Sequence, residues 1–253
     1  MTNALARRAV LLSLALTTAT ATAQTTDVPP PRREYLGRRI AQTMHFLGAP
    51  WLVRDSRNRE EEPAKLLAAL DVRRGQKVCD LGCGNGFYTL KLAERVGPKG
   101  VVYAVDIQQE MLDLLANRAG DRGLKNIRPA LGTVVDPQLP AGEIDLILLV
   151  DVYHEFSHPE QMLAAMRASL SPTGRVALVE FRAEDPAVPI KPLHKMTKAQ
   201  CDKEFTANGF KLAGQYDDLP WQHVLFFARD DSTLEAAELI PWPPGRDATP
   251  AGE

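Results

Sequence analysis

At 253 residues, the chain is long enough for one domain of ordinary size with a substantial core and additional terminal segments. The 30 Lys and Arg residues nearly balance the 32 Asp and Glu residues, so the formal net charge is −2 and the basic surplus typical of nucleic-acid-binding proteins is missing. The three cysteines are too few for a disulfide framework, and we expect free thiols.

Residues 1–23 have the pattern of a secretory signal peptide. Arg7 and Arg8 precede a short apolar run at positions 9–16, and the small residues Ala21-Thr22-Ala23 form a cleavage site. The apolar run is shorter than the roughly 20 residues of a membrane-spanning helix, so no stable membrane span is expected. We predict export to the periplasm; Sec and twin-arginine export both stay open, and an ordinary N-terminal helix is the alternative.

A linker and two helices are predicted ahead of the main domain. Residues 24–33 contain three consecutive prolines and are typical of a stiff, extended linker. Residues 34–65 are interpreted as N-terminal helices that form a lid. The first has helical apolar spacing over Glu34–Leu47, and the second, Glu60–Leu70, carries Pro63 in its first turn.

Strands and helices then alternate between residues 66 and 229. Apolar runs predict five strands: Lys77–Leu81, Val101–Asp106, Ile127–Leu131, Ile144–Val150 and Arg175–Phe181. Between and after them, amphipathic segments predict the helices Phe87–Val96, Gln109–Ala119, Pro159–Leu170 and Lys198–Asn208. Two closely joined strands follow, Phe210–Tyr216 and His223–Ala228. Repeated βα units predict a doubly wound α/β sheet, and the proline-rich residues 230–253 predict a flexible tail.

The turn after the first of these strands is rich in glycine. It reads Asp80-Leu81-Gly82-Cys83-Gly84-Asn85-Gly86, and residues without Cβ allow backbone N–H groups to approach a ligand closely. The next strand ends on Asp106, where a carboxylate can accept hydrogen bonds from both hydroxyls of a ribose. Loop and carboxylate together predict a nucleoside site.

These two features resemble the first two motifs of class I S-adenosylmethionine-dependent methyltransferases. The order of elements is similar to their seven-stranded, Rossmann-like sheet, in which the last strand is antiparallel. The resemblance implies S-adenosylmethionine as cofactor, residues 66–229 as its binding domain, and methyl transfer to a small molecule, as in the ubiquinone/menaquinone-methyltransferase-like branch. Phe87 occupies the third glycine position of a dinucleotide motif, so a nicotinamide-dependent oxidoreductase is the second interpretation.

The resemblance also assigns cofactor-binding residues. The glycines would admit the cofactor, Asp80 would order the loop, and Asp106 would hold the ribose. Thr133 stands where the family often has an acidic residue beside the adenine, so that contact could come from Thr133, from Asp136 or from the backbone. The full predicted set is Asp80, Gly82, Cys83, Gly84, Gly86, Tyr88, Asp106, Ile107, Thr133 and Asp151.

Candidate catalytic residues follow the fourth strand, where the family brings the methyl group to its acceptor. Methyl transfer is an in-line displacement on an activated donor, so the protein mainly aligns the reactants and excludes water. A base is needed only if the acceptor carries a proton. His154 is the first candidate because its ordinary pKa lies near neutrality, with Tyr153 and Glu155 beside it. The alternative is that His154 packs against the following loop.

The same segment, His154-Glu155-Phe156-Ser157-His158, matches the His-Glu-x-x-His motif of zinc peptidases. That motif binds zinc on a continuous helix, and Pro159 disfavours helical geometry in the residue before it. We therefore expect neither a zinc peptidase nor a metal site.

Basic residues on two segments could enclose the acceptor and favour an anionic one, although a solvated surface is the plainer interpretation. They are Arg54, Arg57, Arg59, Lys191, His194 and Lys195. A non-catalytic nucleoside-binding protein is the alternative of a different class, because the methyl donor is made inside cells whereas the N terminus predicts export. The sequence carries no signal for the oligomeric state.

Overall fold

The computed structural model describes residues 28–242. The predicted signal peptide and its cleavage site lie outside the described residues, as do residues 24–27 and 243–253. None of the helices within residues 28–242 combines the length and the apolar character that crossing a membrane requires.

Strands and helices alternate along most of the described chain. The strands are β1 Glu34–Tyr35, β2 Arg38–Arg39, β3 Lys77–Leu81, β4 Val101–Asp106, β5 Ile127–Leu131, β6 Ile144–Val150, β7 Leu170–Arg182, β8 Lys195–Met196, β9 Phe210–Tyr216 and β10 Gln222–Arg229. The α-helices are α1 Arg57–Glu60, α2 Pro63–Ala69, α3 Phe87–Val96, α4 Gln109–Asp121, α5 Pro159–Ser169 and α6 Lys198–Thr206. Short 3₁₀-helices lie at Phe46–Val53, Tyr153–Glu155 and Pro192–His194.

The main sheet contains seven strands in the order β5-β4-β3-β6-β7-β10-β9, with the two-residue β8 paired to β7. Neighbouring strands are parallel except at β10, which is antiparallel to both β7 and β9. The predicted α/β sheet with an antiparallel last strand is therefore confirmed.

The central strand β6 separates two hydrophobic cores. Ile147 and Leu149 pack in one core with α5, and Leu146 and Leu148 pack in the other with α2 and α3. Because helices cover both faces, the strand is apolar throughout instead of alternating between apolar and polar residues.

The strand order also locates the ligand site. From β3 the chain continues to β4 and β5 on one side of the sheet, and it then crosses to β6 and β7 on the other. Ligands of open α/β sheets bind at such a switch point, beyond the carboxyl ends of the strands. The glycine-rich loop follows β3 and the segment Asp151–Glu155 follows β6, so the topology brings the two predicted binding segments side by side.

The N-terminal segment differs from the predicted helix over Glu34–Leu47. It forms the β1–β2 hairpin instead, followed by an extended stretch that leads into the first 3₁₀-helix. Leu36 and Gly37 have φ angles of 48° and 96°, which a two-residue hairpin turn requires and a helix does not permit. The apolar spacing alone did not reveal this turn.

The second predicted helix, Glu60–Leu70, is also shorter than expected. The structure ends α1 at Glu60 and begins α2 at Pro63. Glu62 has a φ of 43° and interrupts the two helices, and Pro63 takes the first position of α2, where its missing N–H is not needed.

Residues 230–242, the described part of the predicted tail, contact the domain at a few points. The N–H of Ala237 donates to the carbonyl oxygen of Leu212 at 2.8 Å, and the N–H of Ile240 donates to the side chain of Gln215 at 3.0 Å. Leu239 packs against the core beneath them. The edge strand β9 offers unpaired backbone groups, and this segment bonds to one of them, the Leu212 carbonyl, and to the side chain of Gln215.

Candidate active site

A cavity of about 690 Å³ opens at the carboxyl ends of β3, β4, β6 and β7. Its volume lies within the range of about 300–1,000 Å³ found for small-molecule sites. The predicted site residues that line it are Gly82, Gly84, Asp106, Ile107, Thr133, Asp151, His154 and Glu155. The predicted residues that lie behind its walls are Asp80, Cys83, Gly86, Tyr88 and Tyr153.

The glycine-rich loop is shaped by two requirements that only glycine meets. Gly82 and Gly84 have φ angles of 72° and 51°, in the region that other residues enter only with strain. A Cβ on Gly84 would lie 2.6 Å from Leu52 Cδ1, and one on Gly82 would collide with Val152. The N–H groups of Gly82 and Cys83 donate to the Val105 carbonyl at 2.8 and 3.0 Å, which fixes the loop to the end of β4.

Asp80, Cys83 and Tyr88 support the loop from behind. The carboxylate of Asp80 accepts a hydrogen bond from the Thr89 hydroxyl at 2.6 Å and so joins β3 to α3. Burial raises the pKa of Asp80 to about 6. Cys83 and Tyr88 are buried in hydrophobic clusters, and the predicted free thiols are confirmed for all three cysteines.

Asp106 presents a carboxylate at the cavity wall beside the loop. One oxygen accepts from the Gly84 N–H at 2.9 Å and the other from the Gln108 N–H at 3.0 Å. Each oxygen keeps a second lone pair, since a carboxylate accepts about four hydrogen bonds. Burial raises the pKa of Asp106, while these backbone hydrogen bonds act in the opposite direction.

The loop after β5 contains the groups that were predicted as alternatives for contacting the adenine. Thr133 lines the cavity, and its hydroxyl accepts from the Asp136 N–H at 2.9 Å. The carboxylate of Asp136 accepts instead from the Gln138 N–H at 2.7 Å, within its own turn. Thr133 and the backbone therefore stand at the cavity, whereas Asp136 does not line it.

An N-terminal lid, residues 42–54, covers the glycine-rich loop. Gln108, directly after β4, holds it: its side-chain nitrogen donates to the Met44 carbonyl at 2.9 Å, and its side-chain oxygen accepts from the Phe46 N–H at 2.8 Å. The side chain of Leu52, in this lid, packs against Gly84 of the loop. The central part of this segment is a 3₁₀-helix, Phe46–Val53, where N-terminal α-helices were predicted.

Asp151 lines the cavity and has one buried carboxylate oxygen without a hydrogen-bond partner in the described chain. It has a φ of 53°, a conformation that costs a residue with a Cβ roughly 1–2 kcal/mol. Its Oδ2 accepts from the Gln222 side chain at 2.7 Å, whereas the buried Oδ1 has no hydrogen-bond partner within the described chain. Burial, followed by the negative charges of Glu61 and Glu180, raises its pKa well above the usual range.

The arginines predicted to enclose the acceptor are mostly engaged by neighbouring carboxylates. Arg57 pairs with Glu61 at 2.6 Å, and Arg54 pairs with Glu61 at 2.9 Å. Both arginines line the cavity, but Arg59 does not. On the opposite segment Lys191 and His194 line it as well. The ammonium of Lys195 instead bonds to backbone carbonyls of its own loop.

His154 is 2% exposed and lies between two other side chains. Its Nδ1 is 2.6 Å from Glu180 Oε2, and its Nε2 is 3.0 Å from Nδ1 of His194. Burial alone would lower the pKa of His154, but the charge and the hydrogen bond of Glu180 outweigh burial and raise it. His194 has a lowered pKa because of burial and of the neighbouring His154.

Tyr153 and Glu155 flank His154 on a single 3₁₀-turn, and their side chains lie on different sides. Tyr153 is fully buried, and its hydroxyl donates to Glu204 at 2.8 Å within the core. Successive residues of a 3₁₀-helix are rotated by about 120°, so Tyr153 lies away from the cavity that His154 and Glu155 line. Burial raises the pKa of Glu155 to about 7.

The His-Glu-x-x-His match does not form the helical arrangement of zinc peptidases. The 3₁₀-turn ends at Glu155 and α5 begins at Pro159. His158 bonds to the Pro29 carbonyl at 2.7 Å and to the Ser157 hydroxyl at 2.9 Å. The structure instead places His194, from a distant segment, beside His154.

Glu180 is the main site residue that the motif analysis missed. It is fully buried near the carboxyl end of β7, where it bonds both the ring and the backbone N–H of His154. The available signal was a single carboxylate inside the apolar run Val176–Phe181, because a buried charge requires a partner.

A family model described as "Methyltransferase domain" matches residues 73–227. The chain is 36% identical over 114 residues to nocamycin O-methyltransferase of Saccharothrix syringae, covering 45% of this chain and 41% of that protein. It is 29% identical over 184 residues to a ubiquinone/menaquinone biosynthesis C-methyltransferase of Burkholderia multivorans, covering 72% of this chain and 66% of that protein. The matches therefore span less than two thirds of these relatives' length.

A solved structure shows the same fold. The SAM-dependent methyltransferase of Aquifex aeolicus superposes with a TM-score of 0.69 at 24% identity, covering 73% of this chain and 98% of that one.

Proposed function

Since this chain belongs to the family of S-adenosylmethionine-dependent methyltransferases, we propose that it transfers a methyl group from this cofactor to a small molecule bound beside His154. The family assignment confirms the predicted methyltransferase class and its cofactor, and it argues against a nicotinamide-dependent oxidoreductase. The observation that carries the proposal is one cavity that joins the glycine-rich loop to His154.

The residues of the cavity fit this cofactor. Gly82 and Gly84 line the cavity without side chains of their own, although Val152 and Leu52 pack against their Cα atoms, and Asp106 keeps acceptor capacity for ribose hydroxyls. The buried, unpartnered Oδ1 of Asp151 matches an ammonium group such as that of the methionine portion. When bound, the cofactor supplies a methyl group activated by a sulfonium.

His154 would receive the proton of the acceptor. Glu180 holds the proton on Nδ1, so Nε2 can accept a proton from an acceptor at the cavity wall. As that proton moves to Nε2, the acceptor atom forms its bond to the methyl carbon and the carbon–sulfur bond breaks. The lid and the apolar walls exclude competing water.

The acceptor in this proposal is a small molecule with an apolar body and a proton on its reacting atom. Phe156, Met162 and Phe181 line the cavity near His154. O-methyl and C-methyl transfer both occur in the names of the relatives, which supports a small acceptor. Lys191 at the rim supports a negative group on it, and the net charge of −2 gives no support for nucleic acid.

Export is a further part of the proposal, and the pattern of residues 1–23 supports it. The same pattern favours one alternative function, a non-catalytic protein that keeps the nucleoside pocket, because the methyl donor is made inside cells. Turnover with an acceptor would separate a methyltransferase from such a binding protein.

The first test is calorimetric titration of the chain from Gln24 onward with S-adenosylhomocysteine. Asp106→Ala is expected to weaken binding by about 1–3 kcal/mol, because charge-assisted hydrogen bonds to the ribose are lost. Asp113→Ala, an exposed carboxylate on α4, serves as the control and is expected to bind like the unaltered protein. Equal affinity in all three proteins, or no binding, would contradict the proposed cofactor site.

A further inference from the structure

Three potential metal ligands converge on the acceptor side of the cavity. One ligand atom each from His154, Glu155 and His194 lies within 4.8 Å of the other two. His154 Nε2 is 3.0 Å from His194 Nδ1 and 4.0 Å from a carboxylate oxygen of Glu155. Ligands at about 2.0–2.1 Å from an ion are separated by about 2.8–3.4 Å in octahedral or tetrahedral coordination. The two imidazoles already have this spacing, whereas the Glu155 oxygen, 4.0 Å from His154 Nε2, would have to move closer.

The surroundings of His154 prepare its Nε2 as a ligand atom. Glu180 is fully buried and lies 2.6 Å from Nδ1, so the proton of a neutral ring is held on Nδ1 and the lone pair of Nε2 faces His194. Metal-binding histidines in proteins generally donate their other ring N–H to a carboxylate in this way. His154 thus has the second partner that a ligand histidine requires.

Glu155 keeps acceptor capacity for a cation. Its two oxygens lie 3.3 and 3.4 Å from the Met44 N–H, which are long distances for hydrogen bonds. Its side chain is 9% exposed and lines the cavity. A largely buried carboxylate whose recorded hydrogen bonds are long gains substantially from a positive ion.

The donor set indicates the kind of ion. Two imidazole nitrogens and one carboxylate suit borderline divalent ions such as Zn²⁺, Fe²⁺ and Co²⁺ better than Mg²⁺ or Ca²⁺, which prefer oxygen ligands. Because all three residues line the cavity, the remaining coordination positions would be open to water or to a ligand. This is the composition of catalytic rather than of closed structural sites.

We propose that His154, Glu155 and His194 bind one divalent ion of this borderline class, with Glu180 as the positioning residue of His154. The site differs from the one that the sequence motif suggested, because His158 takes no part in it. It also departs from the sequence-based expectation of no metal site.

The role of the ion, unlike its binding, rests on the proposed function. With the ion bound, His154 Nε2 is a ligand, so the ion replaces His154 as the group that activates the acceptor. An acceptor hydroxyl in an open coordination position would lose its proton to water, because the ion stabilises the resulting oxygen anion. That oxygen then attacks the methyl carbon as the carbon–sulfur bond breaks. The site thereby names the acceptor class, which is a small molecule whose reacting hydroxyl oxygen can bind the ion.

The test is titration of the metal-stripped chain, from Gln24 onward, with Co²⁺, followed by the visible absorption of the bound ion. One equivalent of Co²⁺ should bind, and Zn²⁺ should displace it. His194→Gln and Glu155→Gln should each weaken Co²⁺ binding at least about tenfold. Glu180→Gln should weaken it roughly 10- to 100-fold, since it leaves all three ligands in place and removes their support. The His158→Gln control, in the same motif but outside the cluster, should bind Co²⁺ like the unaltered protein.

The thermal unfolding of each metal-free variant shows whether it is folded, so a loss of binding is interpreted only for folded protein. The metal site is overturned if the unaltered chain binds no stoichiometric Co²⁺, if His194→Gln and Glu155→Gln bind it equally well, or if His158→Gln abolishes binding. Titration of the same samples with S-adenosylhomocysteine keeps the two proposals apart. Cofactor binding without Co²⁺ binding would overturn only the metal site, and Co²⁺ binding without cofactor binding would overturn only the methyltransferase function.

Discussion

At the scale of single residues, buried carboxylates decide what the site can do. Glu180 is hydrogen-bonded to the His154 ring, Asp106 binds the backbone of the glycine-rich loop at the cavity wall, and Asp151 has a buried oxygen without a partner in the described chain. Asp80 acts differently, because its carboxylate accepts a hydrogen bond from Thr89 behind the loop. Burying each of these groups costs free energy unless it is paired or protonated.

Asp80→Asn should change how stability depends on pH. The pKa of Asp80 in the folded protein is about 6, above its ordinary value of 3.8, because of burial. The folded state therefore holds a proton that the unfolded state releases, so this contribution to stability is present below pH 3.8 and is lost as the pH rises through 6. The stability of Asp80→Asn relative to the unaltered protein should rise by up to about 3 kcal/mol between pH 4 and pH 7.

Urea unfolding at several pH values measures this difference. The asparagine oxygen can still accept from Thr89, so the local hydrogen bond is retained. The exposed Asp113→Asn should show a pH profile parallel to that of the unaltered protein. A parallel profile for Asp80→Asn as well would contradict the raised pKa.

At the scale of elements, the lid is held mainly by side-chain hydrogen bonds, one of which runs from Asn85 to the Ala49 carbonyl at 2.9 Å. Gln108 provides two hydrogen bonds to it, one to Met44 and one from Phe46. The 3₁₀-helix Phe46–Val53 has a single fully buried residue, Ala49. Such a segment has little packing of its own to hold it over the cavity.

Gln108→Ala should therefore loosen the lid without unfolding the domain. We expect affinity for S-adenosylhomocysteine to fall about five- to tenfold, since roughly 1 kcal/mol is lost for hydrogen bonds of this kind. Hydrogen exchange of residues 44–53 should become faster, while the melting temperature changes little. The control is the neighbouring Gln109→Ala, which removes only an exposed hydrogen bond to Asp113 and should leave hydrogen exchange and affinity unchanged. Equal effects of the two variants would contradict the role of Gln108 in holding the lid.

The element scale also shows where sequence patterns fail. The central strand Ile144–Val150 has the predicted bounds because a parallel strand covered on both faces is a nearly continuous apolar run. The first predicted helix was wrong because its apolar spacing was read without the turn at Leu36 and Gly37. A hairpin this short has too few residues to show a recognisable periodicity of apolar residues.

At the scale of the whole molecule, the prediction concerns the cellular compartment of the protein. When the full chain is produced in a bacterial host, we expect the protein in the periplasmic fraction with Gln24 as its first residue, because residues 1–23 have a charged, an apolar and a small-residue region in order. N-terminal sequencing of fractionated cells measures this.

Leu12→Arg serves as the matched control, because it interrupts the apolar run and should retain the protein inside the cell. Uncleaved protein in the cytosol for the unaltered chain would contradict the export proposal.

The sequence by itself determined the family, the order of the βα units, the glycine-rich loop and the carboxylate at the end of the second strand. These features are local: each depends on residue types within a few positions, so one chain is enough to recognise them. Only the tertiary structure decided which distant side chains meet. His154 lies 26 positions from Glu180 and 40 from His194, and they touch because β6 and β7 are neighbours and the loop after β7 folds back over their ends. Strand order and burial, which no local pattern encodes, therefore determined the composition of the acceptor side.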